Sequence, residues 1–230
     1  MTQSPASPAD APLRHQRDAR GVHHLTLNQP RSFNVLGEAM LAELQGRLDQ
    51  IAADPDARAV VIGAEGKAFC AGHDLKQMKA SPRLDYYQAL FAQCSRMMLA
   101  ILKLPVPVIA RVQGLATAAG CQLVAQCDLA VAADSARFGV NGIDVGLFCS
   151  TPSVPLVRNI PAKQAMEMLL TGGFISADEA QARGLVNRVV PAEQLDDAVE
   201  ALVGAILAKP REAIAAGKAL FYRQRELGIE

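Results

Sequence analysis

Tryptophan is absent from this chain, and aromatic residues make up only 4% of its 230 positions. No stripe of basic residues interleaved with aromatics is present, so the stacking platforms of single-stranded nucleic-acid binders are missing. Excess charge of either sign is missing too, because 23 Lys and Arg balance 23 Asp and Glu. Without a global field to gather polyanions, nucleic acid is not an expected partner. No apolar run approaches the ~20 residues that span a bilayer, so no membrane partner is expected. Residues 1–20 have neither an apolar signal core nor a strongly Arg-rich, acid-poor composition, and a cytoplasmic protein is expected. Paired cysteines are lacking as well. Cys70, Cys94, Cys121, Cys127 and Cys149 are odd in number and show no CxxC spacing. Their apolar or small-residue contexts read as reduced core thiols.

What is present is a chain that is half hydrophobic, enough to bury one substantial core. Residues 1–20, rich in Ser, Pro, Ala and charge, read as a flexible leader. Residues 24–28 alternate like a half-buried strand, and residues 38–53 carry apolar side chains at helical spacing. Residues 59–63 form a continuous apolar run, as in a strand covered on both faces. A long amphipathic helix is expected over 85–103, a strand over 107–112, a helix rising from the turn 114–120, and a strand over 129–132. This alternation predicts an α/β fold with helices packed on sheets. Helices over 158–170, 177–183, 195–207 and 211–225 follow, with a short apolar run at 185–190. The folded body is expected over 21–190, with a helical C-terminal segment over 191–230.

Two small-residue turns stand out, each between a strand-like and a helix-like run. The first is Lys67-Ala68-Phe69-Cys70-Ala71-Gly72-His73-Asp74-Leu75; the second is Gly114-Leu115-Ala116-Thr117-Ala118-Ala119-Gly120-Cys121-Gln122-Leu123. Each can aim a bare backbone N–H at an oxygen of a ligand, and two such donors make an oxyanion hole. The plain alternative is that the first turn only ends a strand, with His73 as a polar helix-start residue. No second histidine stands at ligand spacing from His73, so no metal site is expected. Cys121 reads as a packed thiol.

These two blocks, with Phe138-Gly139 and Asp144-Val145-Gly146-Leu147 in register behind them, resemble the enoyl-CoA hydratase/isomerase, or crotonase, superfamily over about residues 21–225. The resemblance implies a spiral core of repeated ββα turns with a helical C-terminal part, assembled as homotrimers or homohexamers. It implies an acyl-CoA thioester as ligand, coenzyme A entering as part of the substrate, and no separate cofactor. The thioester carbonyl would be polarised by the N–H groups of His73 and Ala119, with Gly72 and Gly120 leaving room for its approach. Loss of one donor of such a pair costs on the order of 3 kcal/mol of transition-state stabilisation.

The departures from the family bear on the reaction. The two hydratase glutamates would fall at positions 122 and 142, where this chain has Gln122 and Gly142. An amide holds water by hydrogen bonds but does not take its proton near neutral pH. Restoring glutamate at both positions together is expected to raise hydration of crotonyl-CoA if the pocket geometry is retained. Asp144 is the nearest carboxylate in the same loop, read either as a substitute acid/base or as a structural partner near a helix start. A further isomerase acid would fall where Ser150 stands, and Cys149, Ser150 and Thr151 read equally as a helix N-cap before Pro152. For coenzyme A, Arg31 is placed either against phosphate and adenine or as a solvated turn arginine. Ala68 and Cys70 would line the adenine and pantetheine track, and Leu75, Leu115 and Leu147 would flank the acyl pocket. By the resemblance, the helical segment 191–230 would be either a shortened form of the family's C-terminal helices or one without their closing turns. The expectation is a lyase- or isomerase-like enzyme with atypical acid/base residues, or a noncatalytic acyl-CoA-binding protein.

Overall fold

The computed structural model describes residues 11–228. It begins with a hairpin of β1 (Leu13–Arg17) and β2 (Val22–Leu27), in which Leu13 pairs with Leu27. This corrects the leader expected through residue 20; the part of it at 1–10 lies outside the described residues. An edge strand needs few apolar side chains, and β1 buries Leu13 while its polar residues bond laterally. His15 Nε2 lies 2.9 Å from His23 Nδ1, and Arg17 Nε donates to Asp54 Oδ2 at 2.9 Å.

Parallel strands β3 (Ala59–Ala64), β5 (Val108–Val112), β7 (Leu129–Ala133) and β10 (Arg188–Val190) extend the hairpin. The six-stranded sheet runs β1-β2-β3-β5-β7-β10. Short strands β4 (Ala68–Cys70), β6 (Leu115–Thr117), β8 (Arg137–Gly139) and β9 (Phe174–Ser176) form a second sheet in that order. The first three of these are mutually parallel and β9 is antiparallel to β8.

Consecutive strands thus alternate between the two sheets before each helical return. β3 and β4 lead to α2 (Leu75–Ala80) and α3 (Leu84–Lys103), β5 and β6 to α4 (Ala119–Gln126), and β7 and β8 to α5 (Ser150–Asn159). That is the ββα spiral expected from the resemblance. Crossing α3, α1 (Glu38–Ala52) buries Met40, Leu41, Leu44, Leu48 and Ile51, the residues that carry its helical spacing.

The one helix expected over 158–170 is two, because Pro161 has no N–H to continue α5 and instead opens α6 (Ala162–Thr171). Next comes α7 (Ala177–Arg183), started by a reciprocal capping box between Ser176 and Glu179. The six-stranded sheet is covered on both faces. Val60 and Ile62 point into the main core, while Ala59 and Val61 pack with Ile109 and Val131 under Leu195, Val199 and Val203 of α8 (Leu195–Leu207).

Last in the chain, α9 (Arg211–Gln224) buries no whole residue. It docks through a polar network instead. Lys218 Nζ donates to Asp128 Oδ2 at 2.6 Å and to the Ile101 and Val106 carbonyls, and the Tyr222 hydroxyl donates to Asp128 Oδ1 at 2.7 Å.

Candidate functional site

The two turns found in the sequence lie back to back. A Cβ built on Gly120 would stand 2.0 Å from the Cys70 carbonyl oxygen, and one on Gly114 would stand 2.1 Å from that of Lys67. Gly72 has φ +87°, and a Cβ there would fall 2.8 Å from the Ala118 Cβ and 3.1 Å from the Ala119 nitrogen. Only glycine allows this approach, which brings the amide following Gly72, that of His73, beside that of Ala119.

The helices behind the two amides start differently. α2 is capped by Asp74, whose Oδ1 accepts from Lys76 N at 2.9 Å and Gln77 N at 3.2 Å. α4 has no side-chain cap. Its N-cap, Ala118, sits at φ +50°, ψ −121°, a conformation that costs a non-glycine residue about 1–3 kcal/mol and that clusters at ligand sites. Ala118 N donates to the Gly139 carbonyl and Gln122 N to that of Ala118, while no side chain caps the N–H groups between them. Among the described residues, neither the His73 nor the Ala119 N–H takes part in a hydrogen bond.

Both residues line a cavity of about 400 Å³, with Leu75, Met78, Phe91, Thr117, Asn141, Gly142, Leu147 and Phe148 among its walls. The walls are mainly apolar. Leu75 and Leu147 form part of the rim and are 45% and 41% exposed. On one side the Thr117 hydroxyl donates to Asn141 Oδ1 at 2.5 Å.

His73 Nδ1 lies 3.1 Å from the Leu36 carbonyl, and the ring stands edge-on to Phe91 with centroids 5.2 Å apart. Burial holds its pKa below the usual histidine value, and the Leu36 bond only partly offsets this. Cys149, also in the wall, has its thiol pushed up by burial, while Gly142 N donates to its Sγ at 3.3 Å.

Of the residues singled out from sequence, His73, Leu75, Ala119, Gly142 and Leu147 meet at the cavity, with Gly72 and Gly120 behind them. The side chains of Ala68, Cys70, Leu115, Gln122 and Asp144 are not in its wall. Gln122 is buried on α4 with Oε1 unpartnered, and Cys70, enclosed in the core, has its thiol pushed up to about 12 by burial. Asp144 turns away from the cavity. Its Oδ1 stands 2.7 Å from where a Cβ on Gly172 would be, at the C-terminal end of α6.

Arg31 is exposed on the turn Pro30–Ser32, which abuts Gly66 at the start of the first motif. Asn34 ties these turns together, its Nδ2 donating to the Glu65 and Ala68 carbonyls and its Oδ1 accepting from Gln29 N.

Glutamate at position 142 does not fit this loop. A Cβ there would meet the Leu147 carbonyl oxygen at 2.4 Å and Cys149 Sγ at 2.8 Å. The expected gain in hydration from restoring both glutamates is corrected accordingly. Sequence reasoning also missed Met78, Phe91, Thr117, Asn141, Val145 and Phe148 as wall residues. Met78 and Phe91 carried only a helical apolar signal, which ordinary core residues share.

Comparison with known proteins finds relatives over nearly the whole chain. The family model described as enoyl-CoA hydratase/isomerase matches residues 17–228. Enoyl-CoA hydratase domain-containing protein 3, mitochondrial, from Rattus norvegicus is 46% identical over 96% of this chain and 74% of its own length. A crystal structure of enoyl-CoA hydratase from Mycobacterium smegmatis is 62% identical with a TM-score of 0.94, covering 95% of this chain and 85% of that one. The human enoyl-CoA hydratase domain-containing protein 3 structure is 44% identical with a TM-score of 0.91, covering 95% and 86%.

The rat protein and its namesakes from mouse, Xenopus laevis and human are named mitochondrial, which overturns the cytoplasmic expectation. That expectation rested on the composition of residues 1–20, whereas address segments are read by receptors and are not fixed by composition alone. With the spiral of ββα turns, the paired small-residue loops and the family match running through one continuous span, the chain belongs to the enoyl-CoA hydratase/isomerase family.

Proposed function

We propose that this protein binds acyl-CoA thioesters and polarises the thioester carbonyl with the main-chain N–H groups of His73 and Ala119. The observation that carries this reading is the pair of unused amides held side by side at an apolar cavity by Gly72, Gly120 and the uncapped, strained start of α4. An oxygen gaining negative charge there replaces the missing cap of α4 and meets the positive end of the helix.

The acyl group enters the cavity between Leu75, Phe91 and Leu147, and the nucleotide end lies toward the exposed cations Arg31 and Lys67 on adjoining turns. Among the described residues, no Asp or Glu lines the cavity. Fast addition of water needs a base and an acid at the β carbon, so we assign the site to carbonyl polarisation without hydratase-level turnover. In the assembly, proposed as a homotrimer or homohexamer, a neighbouring subunit covers the apolar rim at Val145, Leu147 and Phe148.

The test is calorimetric titration with butyryl-CoA alongside a crotonyl-CoA hydration assay. Saturable binding with hydration far below the ordinary enzyme rate of ~10 per second supports the reading. Hydration at that rate, or no binding, contradicts it. Binding with no turnover on any enoyl-CoA would favour the noncatalytic acyl-CoA-binding role.

A further inference from the structure

The chain has five asparagines, Asn28, Asn34, Asn141, Asn159 and Asn187, and Asn141 alone is followed by glycine. The others precede Gln29, Val35, Ile160 and Arg188, whose Cβ atoms crowd the amide nitrogen next to each asparagine. Asn28, Asn34 and Asn159 also have their Nδ2 groups bonded to main-chain carbonyls, and Asn187 Oδ1 accepts from Ala130 N.

Asn141 is placed differently. It is half-buried in the cavity wall, with Thr117, Gly142 and Cys149 as wall neighbours. The Thr117 hydroxyl donates to Asn141 Oδ1 at 2.5 Å, which draws electrons toward that oxygen and leaves Cγ open to attack. Gly142 has no Cβ to hinder the approach of its nitrogen. Its N–H donates to Cys149 Sγ at 3.3 Å, a weak acceptor that holds the amide loosely.

We propose that Asn141 is a deamidation site, and that its conversion to aspartate puts a carboxylate in the cavity and weakens acyl-CoA binding; the second part rests on the acyl-CoA reading above. The Gly142 nitrogen attacks Asn141 Cγ, and an N–C bond forms as the nitrogen gives up its proton. The Cγ–Nδ2 bond then breaks, and Nδ2 leaves as ammonia with that proton. One water opens the cyclic imide at either carbonyl, giving an aspartyl or isoaspartyl residue. Water is the only other reactant.

The consequence is electrostatic. Among the described residues, the wall has no Lys or Arg to pair with a new carboxylate. β6 and β8 pair in parallel with Thr117 opposite Gly139, so position 141 follows β8 as Ala119 follows β6. The charge therefore arises next to one of the two carbonyl-gripping amides. Seating an apolar acyl group there strips water from the carboxylate, and an unpaired buried charge is strongly disfavoured. Binding then draws a proton onto the carboxylate and weakens as pH rises. The other titratable side chains of the wall are His73 and Cys149, while Asp144, on the same turn, faces α6.

Two measurements test this. In peptide mass spectrometry of the wild type held in mildly alkaline buffer, Asn141 should convert at least about tenfold faster than the other four asparagines, and Asn141→Gln should give no such product. Equal rates at all five positions, or an unchanged Asn141, would overturn the proposal. Calorimetry with butyryl-CoA then compares fresh wild type with Asn141→Asp, which keeps an acceptor for the Thr117 hydroxyl and so guards against a folding defect. The variant should bind about tenfold or more weakly than wild type at pH 8 and approach wild-type affinity at pH 5. Equal affinity of the two proteins at both pH values overturns the effect on binding, while the mass spectra still decide the modification. No binding of butyryl-CoA by the fresh wild type overturns the acyl-CoA reading and the second part with it.

Discussion

At the scale of the residue, the site is made mostly by what glycines permit. Gly120→Ala would drive a methyl into the Cys70 carbonyl, 2.0 Å from its ideal position, where backbone faces backbone on both sides. Overpacking of this kind costs typically 1–3 kcal/mol and sometimes more. The variant is expected to lose at least that much stability in urea unfolding and to lose acyl-CoA binding. The paired variant Gln122→Glu and Gly142→Glu is expected to be destabilised and to gain no crotonyl-CoA hydration, measured as loss of conjugated absorbance.

These two cases show what could be read in advance. Small residues at 72 and 120 signal close approach wherever chains meet, so both turns were legible. The reach of Gly142 toward Leu147 and Cys149 depends on a loop fold that no local pattern encodes. Nor does sequence report that the ring of His73 loses its solvent, or that Asp144 faces α6, because both depend on segments distant along the chain.

At the scale of the element, strong periodicity was legible and brevity was not. Helices α1, α3 and α8 carry several turns of apolar spacing, and β3 is apolar throughout, so their positions follow from pattern alone. Strands β4, β6, β8 and β9 have three residues each, too few to show a period of two, and the second sheet went unread. β1 was hidden by its polar edge.

The docking of α9 was equally hidden, since it depends on Asp128, a residue some 90 positions away. Burial holds the Lys218 ammonium below the usual lysine value, with the Asp128 contact opposing it, and the side chain is 7% exposed. Asp128→Ala leaves that charge without its counter-ion, and removing one partner of a buried pair costs about 3–5 kcal/mol. Chemical denaturation is expected to show a loss of that size, and Tyr222→Phe a smaller one of about 1.5–3 kcal/mol, as for one bond to a charged group.

At the scale of the whole molecule, the titrating groups set how stability depends on pH. His15, His23 and His73 all have pKa values lowered from 6.5, in each case first by burial. The unfolded chain then binds protons before the folded one does, so stability falls as pH drops below about 6.5. Glu179, held by the Ser176 N–H, and Asp196, held by Arg111, are lowered from 4.5 and 3.8. Their contribution is present above those values and is lost as pH falls through the folded pKa. Unfolding free energies at pH 7.5, 5.5 and 4.0 should therefore decrease in that order; equal values at 7.5 and 5.5 would contradict the burial of the histidines.

The claim on which the account turns is that the two main-chain amides grip a thioester oxygen. The most direct measurement compares binding of butyryl-CoA with that of S-butyl-CoA, the thioether that lacks only the carbonyl oxygen. Two hydrogen bonds to that oxygen are worth at least one net bond of ~1.4 kcal/mol, so the thioester should bind tenfold or more tightly. Equal affinity for the two would mean that the oxygen is not held, and the amides of His73 and Ala119 would have no part in binding.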